Sequence, residues 1–397
     1  MKSELRNLVT AQEAYFSDNA GTYAASTTAL GTTYRGDIVR KSRMPSPCCR
    51  TWRTLAVSLL VAVGACARRD ANEAPGITAP PQGTRPPSVE RQINATTTDA
   101  AMEAVPTGAE APHVVINPSP AITPQGKLLV FLPGTLGRPS QYSDILRAAA
   151  ARGYHAVGVN YVNQVAMGTL CQFSADPNCY WQARSVVVFG GGTPVSGQSA
   201  VTPTNSIVNR VTRLLLSLRT TAPSEGWGQF LRADDTVDWS SVVLAGHSQG
   251  GGHVGVLAKS VLLARAVYFS SPEDWNELTD RPAPWTSARA NVTPASRQFG
   301  FGSDFDTLVP NAHASAHWTA MGLTAPASGP VLVDGAASPY GGFQQLRTRL
   351  SFNPASTALT TALKHHGVPV VDTSTPVDGT GAPLFNSNGV WAYLCFP

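Results

Sequence analysis

The apolar run Val242-Val243-Leu244-Ala245 leads straight into Gly246-His247-Ser248-Gln249-Gly250 and then into Gly251-Gly252-His253-Val254-Gly255-Val256-Leu257-Ala258-Lys259. A β-branched and aliphatic run bounded by turn residues reads as a buried strand. The small residues that follow, with Val254, Leu257 and Val261 at helix-compatible spacing, read as a helix. Only a sharp turn fits between the two, and Ser248 stands at its apex. Gly246 and Gly250 flank the serine where a β-carbon would collide with the crossing backbone. Strand, turn and helix in this order belong to folds in which helices wrap a sheet.

Other segments repeat the alternation. Residues 127–132 read as a second buried strand, ending at Pro133-Gly134-Thr135-Leu136-Gly137. Residues 139–152 read as a helix, with Pro139 suited to its first turn and Ile145, Leu146 and Ala149 on one face. A strand at 154–161 follows, then a helix at 205–219 with Ile207, Val211, Leu214, Leu215 and Leu218 on its apolar face. Further strands are expected at 264–269, 297–302 and 331–333. The alternation predicts an α/β class with a mostly parallel central sheet flanked by helices.

A serine at such a turn attacks carbonyls only if a base, an orienting acid and donors to an oxyanion surround it. Residues 298–310 read as a strand ending in two carboxylates, Asp304 and Asp306, either of which could instead cap the following loop. The chain has eight histidines. His247 and His253 flank the serine too closely to reach around freely, while His113 and His155, which precede it, stay open on the residues alone. His313 and His317 could share a helix face, but the pair lacks an intervening glutamate and a third ligand, so no metal is expected. His365 and His366 also remain, and Gly367 would allow the turn that swings one of them towards Ser248.

A Gly-rich loop such as 133–137, at the carboxyl end of a parallel strand, can point N–H groups at a developing oxyanion, although it could also be a plain connecting turn. The Gly-rich stretch 190–197 lacks a phosphate-loop Lys-Ser/Thr ending, so no nucleotide and no other cofactor is expected. Between two strands, 271–293 carries Trp275 and Trp285, which either wall a pocket above the sheet or close the core edge.

From about Pro112 to the C-terminus the chain resembles the α/β-hydrolase family, in its serine esterase and lipase-like branch. The resemblance rests on residues 246–250, on the strand end Pro133-Gly134-Thr135, and on the chain order serine, acid, histidine. It implies the α/β-hydrolase fold and a triad of Ser248, Asp306 and His366, with Asp304 and His365 as alternates. Only the serine, acid, histidine order of this resemblance sets aside His113 and His155, which precede the serine. Asp306-Thr307-Leu308-Val309-Pro310 matches the Asp-x-x-Val-Pro form in which the family commonly presents its acid. The oxyanion donors implied are the backbone N–H groups of Gln249 and Thr135. The activity implied is cleavage of a small-molecule or lipid-like carboxylic ester through an acyl-enzyme. An acyltransferase, a peptidase, or a catalytically silent surface-binding protein on the same scaffold are the alternatives, and no protein partner is identifiable.

The N-terminal part divides differently. Up to Cys66 there are 8 Lys and Arg against 4 Asp and Glu, which leaves 21 of each beyond it. A neutral mature part argues against the basic face needed to hold phosphates, so no nucleic-acid partner is expected. Met44 reads as a second translation start. Arg50 and Arg53 precede an apolar run from Leu55 to Val63, which Val63-Gly64-Ala65-Cys66 closes with small residues. This resembles a bacterial lipoprotein signal, which implies lipidation at Cys66 and an exported, lipid-anchored protein of the cell envelope, in the periplasm or at the outer membrane. An ordinary secretory signal is the alternative.

Residues 1–43 resemble a type IV pilin-like fragment without its hydrophobic stem and read as a remnant outside the mature protein. Residues 67–111, rich in Pro, Thr and Ala, read as a disordered tether. Residues 112–397 form the expected catalytic domain. Cys171 and Cys179 bracket a short polar loop and are expected to form a disulfide suited to an oxidising compartment, with metal binding as the alternative. Cys395 is then a buried thiol.

Overall fold

The computed structural model describes residues 89–105, 111–356 and 360–396. The pilin-like stretch, the signal and Cys66 lie outside the described residues, as does the tether up to residue 88.

Among the described residues nine strands form one sheet in the order β1-β2-β4-β3-β5-β6-β9-β11-β10. They are β1 (Val89–Ile93), β2 (His113–Asn117), β3 (Leu128–Leu132), β4 (His155–Gly158), β5 (Val242–His247), β6 (Arg265–Phe269), β9 (Gln298–Ser303), β10 (Val331–Leu332) and β11 (Gln345–Thr348). A separate two-stranded ribbon joins β7 (Trp275–Asn276) and β8 (Arg281–Pro282). In the large sheet, β2 pairs antiparallel with both β1 and β4, and every other pairing is parallel. The fold is thus α/β, with a mostly parallel central sheet flanked by helices, as the alternation predicts.

The central strands are buried along their length, which is why they read as continuous apolar runs. Successive side chains still point to opposite faces. Leu128, Val130, Leu132, Val242 and Leu244 pack with α2 (Cys179–Phe189), α3 (Ile207–Thr221), α4 (Gln249–Ser260) and α5 (Asn311–Ala320). Leu129, Phe131, Val243 and Ala245 pack on the other face with α1 (Ser143–Ala150) and the C-terminal α7 (Val390–Cys395). Between α5 and α7 lies α6 (Thr361–Gly367). Among the described residues no helix is long and apolar enough to cross a membrane.

One expectation is corrected. Val89–Ile93, assigned from composition to the tether, is an edge strand that pairs residue for residue with β2 from Val89↔Asn117 to Ile93↔His113. Its Glu90 accepts from Arg147 of α1, and its Arg91 pairs with Glu225, so polar side chains fix a strand that has little apolar character to reveal it. A short charged edge strand also resists pairing with another chain.

Cys171 and Cys179 are joined in a disulfide with 5.7 Å between their Cα atoms, so the metal alternative for this pair falls. The bridge closes the loop that starts α2. Cys395 is free and buried, and burial pushes its thiol pKa up to about 12.

The chain leaves β3 to form β4 on one side and returns to form β5 on the other, so the sheet has a topological switch point between β3 and β5. Ligands of open parallel sheets bind outside the carboxyl ends of the strands at such a point. Ser248 and the loop 133–137 are the two segments that emerge there.

Candidate functional site

β5 ends at His247 and α4 begins at Gln249, so Ser248 makes the whole turn. Its backbone takes φ 53° and ψ −120°, a region L residues seldom occupy. The close approach explains the flanking glycines: a β-carbon on Gly246 would overlap the Gly250 backbone, and one on Gly250 would overlap the carbonyl oxygens of Leu132 and Pro133. Register brings the neighbouring loop alongside, since Leu132 of β3 pairs with Gly246. A β-carbon on Gly134 would stand 3.1 Å from Ser248 Cβ and 3.1 Å from His247 Nδ1.

Thr135 sits in that loop. Leu136 N–H is committed to Asn163 O and Gly137 N–H to Gly134 O, whereas among the described backbone hydrogen bonds the N–H groups of Thr135 and Gln249 enter none. Gln249 owes this to its place at the first position of α4, where no carbonyl lies one turn behind it. The two residues also touch, the Thr135 hydroxyl donating to Gln249 Oε1 at 2.8 Å. The loop is held from outside by Asn163, which donates to Gly134 O and Gly137 O, and by Tyr161, which donates to Pro133 O.

The two carboxylates after β9 take different roles. Asp306 is buried; its Oδ1 accepts the N–H groups of Leu308 and Val309, each at 2.9 Å, and its Oδ2 lies 2.7 Å from His366 Nδ1. Asp304 faces away to a cationic edge, paired with Arg347 and, at 2.8 Å, with Arg349. The two adjacent histidines split likewise. His366 is buried against Asp306, with its ring centroid 4.5 Å from that of His247. His365 points outward between Phe305 and Phe352, where burial lowers its pKa against a smaller upward pull from Asp306.

The structure therefore brings together Asp306, His366, Gln249, Thr135 and the Ser248 turn, and leaves Asp304 and His365 out. Among the described residues no hydrogen bond joins the Ser248 hydroxyl to the His366 ring. Because Nδ1 is taken by Asp306, Nε2 is the ring nitrogen that can turn to the serine.

The remaining histidines are otherwise engaged. His113 Nδ1 accepts the N–H of Asn160, and burial with the charge of Arg210 lowers its pKa to about 3. His155 Nε2 binds Glu225 O, and His253 is buried edge-on to Tyr161. His313 is stacked on Trp275 with Nδ1 on Glu273, while His317 donates from Nδ1 to His313 O. Among the described residues no group of three His, Cys, Asp or Glu side chains is arranged to hold a metal. Both tryptophans of 271–293 are buried; Trp285 packs over Gly255 of α4 and donates to Asp274.

Several supporting residues carry no sequence signal. Arg184 of α2 is buried, bound to Asp274 at 2.6 Å and to the carbonyl of Gln249 at 3.0 Å, and its guanidinium occupies the space a side chain at Gly252 would need. Tyr142 and Ser270 also reach the site, from eight residues past Gly134 and from the end of β6. Strand ends adjoining in the sheet are the only hint of Ser270, and nothing local marks the other two.

No protein-family model matches the chain, and no curated protein matches it significantly in sequence.

Proposed function

We propose that the chain is an exported serine hydrolase of the α/β-hydrolase type that cleaves carboxylic esters. The observation that carries this reading is the buried Asp306–His366 pair beside a serine held at φ 53° on a strand-to-helix turn. A positive-φ serine is strained, and strain of this kind is often kept where a side chain must be presented to a site.

In the proposed mechanism Ser248 Oγ attacks the ester carbonyl and passes its proton to His366 Nε2. The tetrahedral oxyanion is held by the N–H groups of Gln249 and Thr135, donors worth about 3 to 4 kcal/mol each in the transition state. The imidazolium returns the proton to the alkoxide leaving group, which departs and leaves an acyl-enzyme. Water, deprotonated by the same ring, then attacks the acyl carbonyl, and the imidazolium returns that proton to Ser248 Oγ as the acid leaves. Asp306, fixed by two backbone N–H groups, keeps hydrogen on Nδ1 and steadies the ring while it is charged. None of these steps calls on a metal, so EDTA should leave turnover unchanged.

The disulfide fits an oxidising compartment and so supports export. A fluorophosphonate probe tests the reading: it should label the wild type on the peptide containing Ser248 and fail to label Ser248→Ala. Hydrolysis of p-nitrophenyl esters of rising acyl length would then give the chain preference. A folded wild type that neither reacts with the probe nor hydrolyses any of these esters would sink the proposal in favour of a silent scaffold.

A further inference from the structure

His247 precedes the serine and takes no part in the proposed proton transfers, yet it is buried and bonded at both ring nitrogens. Gly134 N–H meets Tyr142 Oη at 3.2 Å, Tyr142 Oη lies 3.0 Å from His247 Nδ1, and His247 Nε2 lies 3.1 Å from the carbonyl oxygen of His366. A carbonyl only accepts, so Nε2 carries the hydrogen. Burial first, and then the charge of His366, lowers the His247 pKa well below its ordinary value despite the hydrogen bond to the His366 backbone. The ring is therefore neutral, Nδ1 accepts, and the Tyr142 hydroxyl donates to it while its oxygen accepts from Gly134. Every polar atom in the series has one assigned direction.

Its two ends are what give the series meaning. One is the N–H of Gly134, the residue before Thr135. The other is the backbone of His366, whose carbonyl also accepts from Ser270 Oγ at 2.9 Å and so has both lone pairs engaged. Resting on the serine-hydrolase reading, we infer that Tyr142 and His247 are positioning residues that hold the oxyanion loop and the base in fixed relation to each other. A role in packing alone would need only the ring of Tyr142, which lies 4.7 Å from the Phe131 ring between centroids. A positioning role needs its hydroxyl.

Tyr142→Phe keeps the ring and removes the hydroxyl, so it separates the two roles. In the full chain, with p-nitrophenyl butyrate as substrate, Tyr142→Phe should lower kcat by about 10- to 100-fold with KM held within about twofold, the scale expected when a reacting group is misplaced by a fraction of an ångström to an ångström. His247→Gln and the double variant complete a cycle. If the two residues act as one series, the double variant loses no more than the worse single variant.

A readout independent of turnover is the nitrogen NMR of the His247 ring, which should report a neutral Nε2–H tautomer whose Nδ1 resonance moves in Tyr142→Phe. An unchanged kcat in Tyr142→Phe, with the wild type active, overturns the inference. A wild type that neither turns over nor takes the fluorophosphonate overturns the hydrolase reading and the inference with it, even if the NMR signature is present. Should His247→Gln fail to fold, the kcat and ring spectrum of Tyr142→Phe decide the matter.

Discussion

At Ser248 the demands of the proposed nucleophile and of a stable backbone oppose each other. An L residue at φ 53° and ψ −120° costs about 1 to 3 kcal/mol, a strain that glycine does not feel. Ser248→Ala keeps the β-carbon and hence the strain, while Ser248→Gly removes both at an entropic cost of about 0.5 to 1 kcal/mol. Ser248→Gly should therefore be about 1 kcal/mol more stable than Ser248→Ala in urea unfolding, with both inactive; a Ser248→Gly variant less stable than Ser248→Ala by the full entropic cost would show that the turn is not strained. The two carboxylates after β9 give a second contrast. Asp306→Asn should lower ester turnover on the order of a thousandfold or more by spoiling the hydrogen on Nδ1. Asp304→Asn should leave the rate within a few-fold, since its partners are Arg347 and Arg349, and a reversed ranking would transfer the orienting role.

At the scale of elements, α1 and the segment after α6 are joined by one half-buried carboxyl. Asp372 Oδ2 accepts the N–H of Ser143 and Oδ1 that of Asp144, capping the first turn of α1, and Asp372 N–H donates to Gln141 O. Burial and the neighbouring Asp144 raise its pKa to about 7 from 3.8, against the downward pull of those N–H groups and Arg147. Unfolded, the carboxyl loses its proton near 3.8; folded, it keeps it to about 7. Between these values the folded state binds more protons, so this group's contribution to stability falls as pH rises from about 4 to about 7 and is flat above. Asp372→Asn should flatten that part of the pH–stability curve measured by denaturant unfolding. An identical slope in the variant would mean that Asp372 is ionised in the fold throughout.

The same segment marks how far sequence reaches. Residues 246–250 were legible because strand, turn and helix are written within a few residues of one another. Asp306 and His366 were legible through chain order, whereas Gly367 does not make the expected turn: it ends α6 as a helical residue, and is small because a β-carbon there would press on Ser374 and Val371. Asp372 and Tyr142 were not, because their partners are set by tertiary contact; Asp372 lies 229 residues from Ser143. β1 was hidden for another reason, since an edge strand held by ion pairs has the composition of a tether.

For the whole molecule, the division of charge and cysteine has a consequence outside the sheet. Residues 67–88 stand between Cys66 and β1 in sequence, so a lipid on Cys66 would tie the α/β domain to a membrane through that segment. We predict that processing leaves Cys66 as the lipidated first residue, with everything before it removed. Mass spectrometry of the membrane fraction should find a lipid-modified N-terminal peptide beginning at Cys66, and Cys66→Ser should release esterase activity from the membrane fraction or block processing. An unmodified peptide running through Ala65 and Cys66 as the dominant species would show that the protein is held, if at all, by something other than a lipid on this cysteine.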